Sequence, residues 1–113
     1  MTTPQMTPEQ QEELQRFNQL VQELEIIRVN LQQFELEKRD IASALKETKE
    51  LDPSEVIYRS AGRLLFQTNV EDVNKHLKEQ QEKVEVRLSS LTNREKKLVS
   101  SVKELQEKLI GKK

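Results

Sequence analysis

The sequence predicts a mainly α protein: a long antiparallel two-helix coiled coil joined by one β-hairpin. Three observations predict it. Glycine and proline are absent between Pro8 and Pro53 and again between Gly62 and Gly111. Within both stretches, apolar residues recur at alternating three- and four-residue spacing. Between them, a short segment around Gly62 is rich in β-branched and aromatic residues, the chemistry of strands.

Composition fixes the kind of helix. Hydrophobic residues make up 34% of the 113 positions and charged residues 35%; a typical globular domain has roughly 45–50% and about 25%. So few apolar side chains fill a narrow stripe, not a three-dimensional core. Nineteen Lys and Arg nearly balance twenty Asp and Glu, for a net charge of −1. Disordered chains usually pair low hydrophobicity with a large net charge, and here opposite charges are interleaved as on solvated helix faces.

The same numbers exclude functions. A near-neutral chain lacks the basic stripe that phosphate binding needs, and no basic block precedes the heptads as in a DNA-binding zipper. No cysteine is present, so neither a disulfide framework nor a thiolate metal site is expected. No apolar run approaches the roughly 20 residues of a membrane span, and the N-terminus lacks a signal peptide's basic start and apolar middle. A soluble cytoplasmic protein is expected.

Each element has its own signals. Thr7-Pro8-Glu9-Gln10 carries a capping threonine, a proline at the first helical position and a glutamine three residues after the cap. Glu9, Glu12 and Glu13 then face the positive end of the helix dipole; an acidic docking patch is the other use they could serve. The first seam runs Phe17, Leu20, Leu24, Ile27, Leu31, Phe34, Lys38, Ile41, Leu45 and Thr48. Asn69, with Asp72 three residues on, starts the second helix. Its seam runs Val70, Asn74, Leu77, Gln81, Val84, Leu88, Leu91, Glu95, Leu98, Val102, Leu105 and Leu109. Spacing of 3.5 residues sustained over about five heptads is the signature of a left-handed coiled coil. The chain is expected to form one domain over residues 1–113, with helix one over about 8–50, the hairpin over about 56–67 and helix two over about 70–110.

For the hairpin, a three-residue loop Ser60-Ala61-Gly62 with Gly62 left-handed is preferred over a two-residue Ala61-Gly62 loop. It pairs Val56 with Phe66 and Tyr58 with Leu64, gathering Val56, Tyr58, Leu64 and Phe66 on one apolar face. Ile57, Arg59, Arg63 and Leu65 fall on the other, with the two arginines opposed. Residue numbers in each pair then sum to about 122, and extending that rule brings the helices together antiparallel. Leu45 falls near Leu77, Phe34 near Leu88, Leu31 near Leu91, Leu24 near Leu98 and Phe17 near Leu105. Polar Gln81 near Ile41 and Glu95 near Ile27 interrupt the seam.

Two strands alone are marginal in water, and these carry apolar side chains and two unpaired edges. Hairpins from several subunits should therefore join into a shared sheet or barrel through Val56, Ile57, Tyr58, Gly62, Leu64, Leu65 and Phe66. The antiparallel register brings the two chain ends together, where frayed helix termini could offer Leu14, Phe17, Leu20, Val21, Val102, Leu105, Leu109 and Ile110 to another polypeptide. Phe17, Leu20, Val102 and Leu105 also serve as ordinary seam residues; Val21 and Ile110 lie off the strict seam. Lys112 and Lys113 suit the negative end of the second helix. His76 is the single histidine and has no cysteine partner, and the carboxylates have no pocket to raise their pKa. No P-loop pattern occurs. Catalytic, cofactor-binding and metal-ligating residues are thus not expected.

The order helix, Asp52-Pro53, Val56-Ile57-Tyr58-Arg59-Ser60-Ala61-Gly62-Arg63-Leu64-Leu65-Phe66, helix resembles the β-type subunit of prefoldin. Tyr58 followed by Gly62 and Leu64-Leu65, then a heptad helix containing Glu85-Val86-Arg87-Leu88, carries the likeness, which extends from about Thr7 to Leu109. One hairpin in place of two matches the β-type; Gln67, where a basic residue is common, departs from the pattern. The resemblance implies a hexamer of two α-type and four β-type subunits whose hairpins form a double β-barrel. It further implies coiled-coil tips that hold non-native proteins without ATP and pass them to a group II chaperonin. A structural scaffold or tether without client binding is the alternative.

Overall fold

A computed structural model describes residues 6–111. Helix α1 spans Pro8–Thr48, strands β1 and β2 span Val56–Ala61 and Leu64–Asn69, and helix α2 spans Val70–Ile110. The architecture is mainly helical, with one antiparallel two-stranded sheet.

Cap chemistry sets the helix starts. Gln10 donates its backbone N–H to Thr7 Oγ1 at 3.1 Å, and Thr7 donates its own to Gln10 Oε1 at 3.0 Å, a reciprocal capping box. For α2, Asp72 donates its backbone N–H to Asn69 Oδ1 at 2.8 Å while Asn69 Nδ2 donates to Asp72 Oδ2 at 3.2 Å. Gly111 closes α2 with φ of 76° and its N–H on the Lys108 carbonyl, the left-handed glycine stop.

Pro53 forbids continuation of α1, and the connector at 49–55 is ordered by short-range bonds. Asp52 Oδ1 accepts from the backbone N–H and the hydroxyl of Ser54 at 2.9 and 2.8 Å. Those two donors, backbone first, hold the exposed Asp52 carboxyl below its usual pKa. The connector then caps the next helix: Glu55 and Pro53 carbonyls accept from Val70 and Glu71 N–H at 3.3 and 3.2 Å. Two of the donors that a helix start leaves unpaired are thereby satisfied, and Val70 becomes the most buried apolar side chain, 1% exposed.

The chain forms two compact units, one from residues 1–32 and 90–113, the other from 33–89. Leu24, Ile27 and Leu105 are the buried apolar residues of the first; Ile41, Val70, Val84 and Leu88 are those of the second. Every one belongs to the seams read from sequence. In the first unit Arg28 Nε meets Glu95 Oε2 at 3.2 Å, so the seam glutamate has a partner. In the second, the polar seam residues Thr48 and Asn74 hydrogen-bond each other, and the Arg87 guanidinium lies 5.6 Å from the Phe34 ring centre. All three pairs lie within one residue of the helix register expected from sequence.

Hairpin register differs from that expectation. Val56 opposes Asn69, Tyr58 opposes Gln67, Arg59 opposes Phe66 and Ala61 opposes Leu64. The loop is Gly62-Arg63, with φ of 61° at Gly62 and no positive φ at Arg63. Glycine first in a two-residue loop fits type II′, whose twist matches that of the strands. The three-residue loop and the Arg59–Arg63 opposition are therefore replaced.

Candidate functional site

The hairpin, within the second unit, is the first candidate. Because side chains alternate across a strand, the odd slip in register exchanges one strand's faces relative to the other. Val56, Tyr58 and Ser60 share a face with Leu65, Gln67 and Asn69. Ile57, Arg59 and Ala61 share the opposite face with Leu64, Phe66 and Thr68. The expected single apolar face of Val56, Tyr58, Leu64 and Phe66 is split in two, Val56 and Tyr58 joining Leu65 and Leu64 and Phe66 joining Ile57.

Both faces remain open in the single chain. Tyr58 is 68% exposed, Leu65 72% and Phe66 50%, with Val56 and Leu64 between these extremes. Only Ile57, Thr68 and Asn69 are half-buried; Ile57 and Thr68 lie on the face of Arg59, where Arg59 and Thr68 share a groove with Asp72, Val73, His76 and Leu77 of α2. There Arg59 Nη2 lies 3.0 Å from His76 Nε2. Neither outer strand edge has a partner in the two-stranded sheet. Unpaired strand edges beside open apolar side chains are the features that another polypeptide can cover. Gly62 takes the loop position that needs positive φ and carries no side chain to pack.

The chain ends, in the first unit, are the second candidate. Arg16 and Leu20 of α1 line a shallow groove with Ser101, Glu104, Leu105 and Lys108 of α2. Phe17, Leu20, Val102 and Leu109 are half-buried and Leu105 is buried, as seam residues are. Val21 is half-buried as well, so its place off the strict seam does not leave it exposed. Leu14 is exposed and Ile110 is 73% exposed. Of the eight residues read from sequence at this end, these two are the open apolar ones. Glu9 stands in the first turn of α1; Lys112 and Lys113 lie outside the described residues.

Sequence reading missed a set of exposed apolar residues away from both seams: Ile26 and Val29 in the first unit, Leu36 and Val86 in the second. Their signal was available, because each occupies an outward heptad position that polar residues normally fill. No group of three or more His, Asp or Glu side chains among the described residues is placed to hold a metal ion. No described helix is long and apolar enough to cross a membrane.

Comparison with known proteins gives the same picture at every level. The sequence profile described as Prefoldin subunit matches residues 11–113. Over 107 residues the chain is 28% identical to prefoldin subunit beta of Methanosarcina acetivorans, covering 95% of this chain and 92% of that one. Its counterpart in Archaeoglobus fulgidus is 33% identical over 104 residues, with 92% and 90% covered. The crystal structure of the prefoldin beta subunit from Thermococcus strain KS-1 superimposes with a TM-score of 0.82 at 31% identity, covering 95% of this chain and 94% of that one.

Proposed function

Because the chain belongs to the prefoldin subunit family and matches its beta subunits in sequence and fold, we propose that it is one component of an ATP-independent chaperone that captures non-native polypeptides and hands them to a group II chaperonin. The family is one of chaperones, not enzymes. The observation that carries the reading is the hairpin, which exposes apolar side chains on both faces and leaves two strand edges unpaired. A two-stranded sheet is marginal by itself in water, so covering that surface would add to its stability. Hairpins of α-type and β-type subunits, two and four, supply the cover by closing into a shared barrel in the cytoplasm. Val56, Ile57, Tyr58, Leu64, Leu65 and Phe66 form its contacts, and Gly62 its turn.

The chain ends supply the capture surface in this reading. Leu14 and Ile110 are open, and fraying of the terminal turns adds Phe17, Leu20, Val21, Val102, Leu105 and Leu109. Several subunits engaging one client raise its effective concentration, so no single subunit needs a tight site.

Two measurements test this. Light-scattering mass of the chain mixed with an α-type subunit should give a hexamer. Removal of residues 1–16 and 106–113 should leave that mass intact while suppression of aggregation of an unfolded client is lost. Full retention of suppression in the truncated assembly rejects the capture surface. A scaffold would ignore denatured clients even with both ends present.

A further inference from the structure

His76 is the single histidine of the chain, and it touches the hairpin. Arg59 Nη2 of β1 lies 3.0 Å from His76 Nε2 of α2. A guanidinium has donors only and keeps its charge. Arg59 must therefore donate, and Nε2 must be the bare nitrogen of a neutral imidazole whose proton sits on Nδ1. We propose that this contact is a proton-operated latch: neutral His76 fastens β1 to α2 through Arg59, and protonation of the ring releases the strand.

The surroundings give the released ring somewhere to go. On the hairpin side Arg59 is the one charge from β1, Thr68 brings none from β2, and Asp72 comes from α2. Asp72 is engaged by its backbone and side-chain bonds with Asn69. On the other side His76 shares a groove with Glu37 of α1 and with Glu79, Lys83 and Arg87 of α2. A protonated imidazole accepts nothing and is repelled by Arg59, whereas the carboxylates of Glu37 and Glu79 line the groove on its other side. Sign follows directly: the latch holds while the ring is neutral and opens as pH falls. As a residue type, histidine ordinarily changes charge between about pH 5 and 8, and the chain contains a single one.

Nitrogen NMR of the isotopically labelled full chain tests the latch together with amide hydrogen exchange, at about pH 8 and about pH 5.5 so as to bracket that range. At the higher pH the ring should carry its proton on Nδ1. On acidification, protection across Val56–Ala61, corrected for intrinsic pH dependence, should fall about threefold, the size of one exposed hydrogen bond. His76→Gln keeps an acceptor for Arg59 and should hold the protected level at both pH values. Arg59→Met, which keeps the aliphatic stem and has no donor, should sit at the released level at both. A proton on Nε2 at the higher pH overturns the latch, as does an unchanged pH response in His76→Gln. The readouts lie within one chain, so they are independent of the proposed assembly.

Discussion

The seams and the hairpin spend apolar side chains in opposite ways. Along the seams, Leu24, Ile27, Ile41, Val84 and Leu88 are buried by the partner helix of the same chain. In the hairpin, Val56, Tyr58, Leu64, Leu65 and Phe66 are as apolar and are left open. The first set stabilises the fold of one chain; the second, in the proposed assembly, contributes when other chains cover it. Burial within the chain, not hydrophobicity, separates the residues that hold this fold together from those proposed to join it to others.

Substitutions can break that contrast, and the largest effect should come from the hairpin. Replacing Tyr58, Leu65 and Phe66 together by aspartate should abolish the hexamer with an α-type subunit, seen as mass by light scattering. Helix content by circular dichroism should stay as it was; equal loss of helix would erase the distinction. At the seam the balance reverses. Ile41→Ala should lower stability by about 2–4 kcal/mol through lost burial and a cavity, read from thermal or urea unfolding of the isolated chain, whereas Leu65→Ala should stay within about 0.5 kcal/mol.

Gly62→Ala is a subtler probe. Nothing lies within 4 Å of an added methyl group there, but φ is +61°. The cost, about 1 kcal/mol, should be conformational alone and should appear equally in the chain and in its assembly. The smallest effect belongs to Arg28 and Glu95, whose side chains are 57% and 28% exposed. A double-mutant cycle should give at most about 0.5 kcal/mol, vanishing in high salt.

Sequence revealed the helices because their signals are local and redundant. Thr7 with Gln10 and Asn69 with Asp72 advertise helix starts within four residues, and the seams repeat their message every heptad. The polar seam positions were legible as flaws, while their remedies were not. Arg28 reaching Glu95, and Thr48 meeting Asn74, depend on side chains 67 and 26 residues apart. Hairpin register was misjudged for a physical reason. Choosing a register by gathering apolar residues on one face assumes the other face is wet. Here each face carries apolar side chains, so alternation cannot rank the registers, and the glycine-first loop chemistry was the better guide. The carbonyls of Pro53 and Glu55 that cap α2 left no side-chain signature at all.

That cap has a consequence for the order in which the chain assembles itself. Joining two points of a chain costs more entropy the longer the intervening loop. The bonds from Val70 to Glu55 and from Glu71 to Pro53 close short loops, and Thr48 with Asn74 then needs little further closure once they exist. Each later seam contact is reached by adding residues to an already closed zipper. Nucleation therefore belongs around the connector and the hairpin. On this loop-closure argument the contact of Arg28 with Glu95 should form late and open early. Loop-closure cost therefore predicts the fastest amide exchange in the helix turns near Pro8 and Ile110, which hydrogen exchange along α1 and α2 would check.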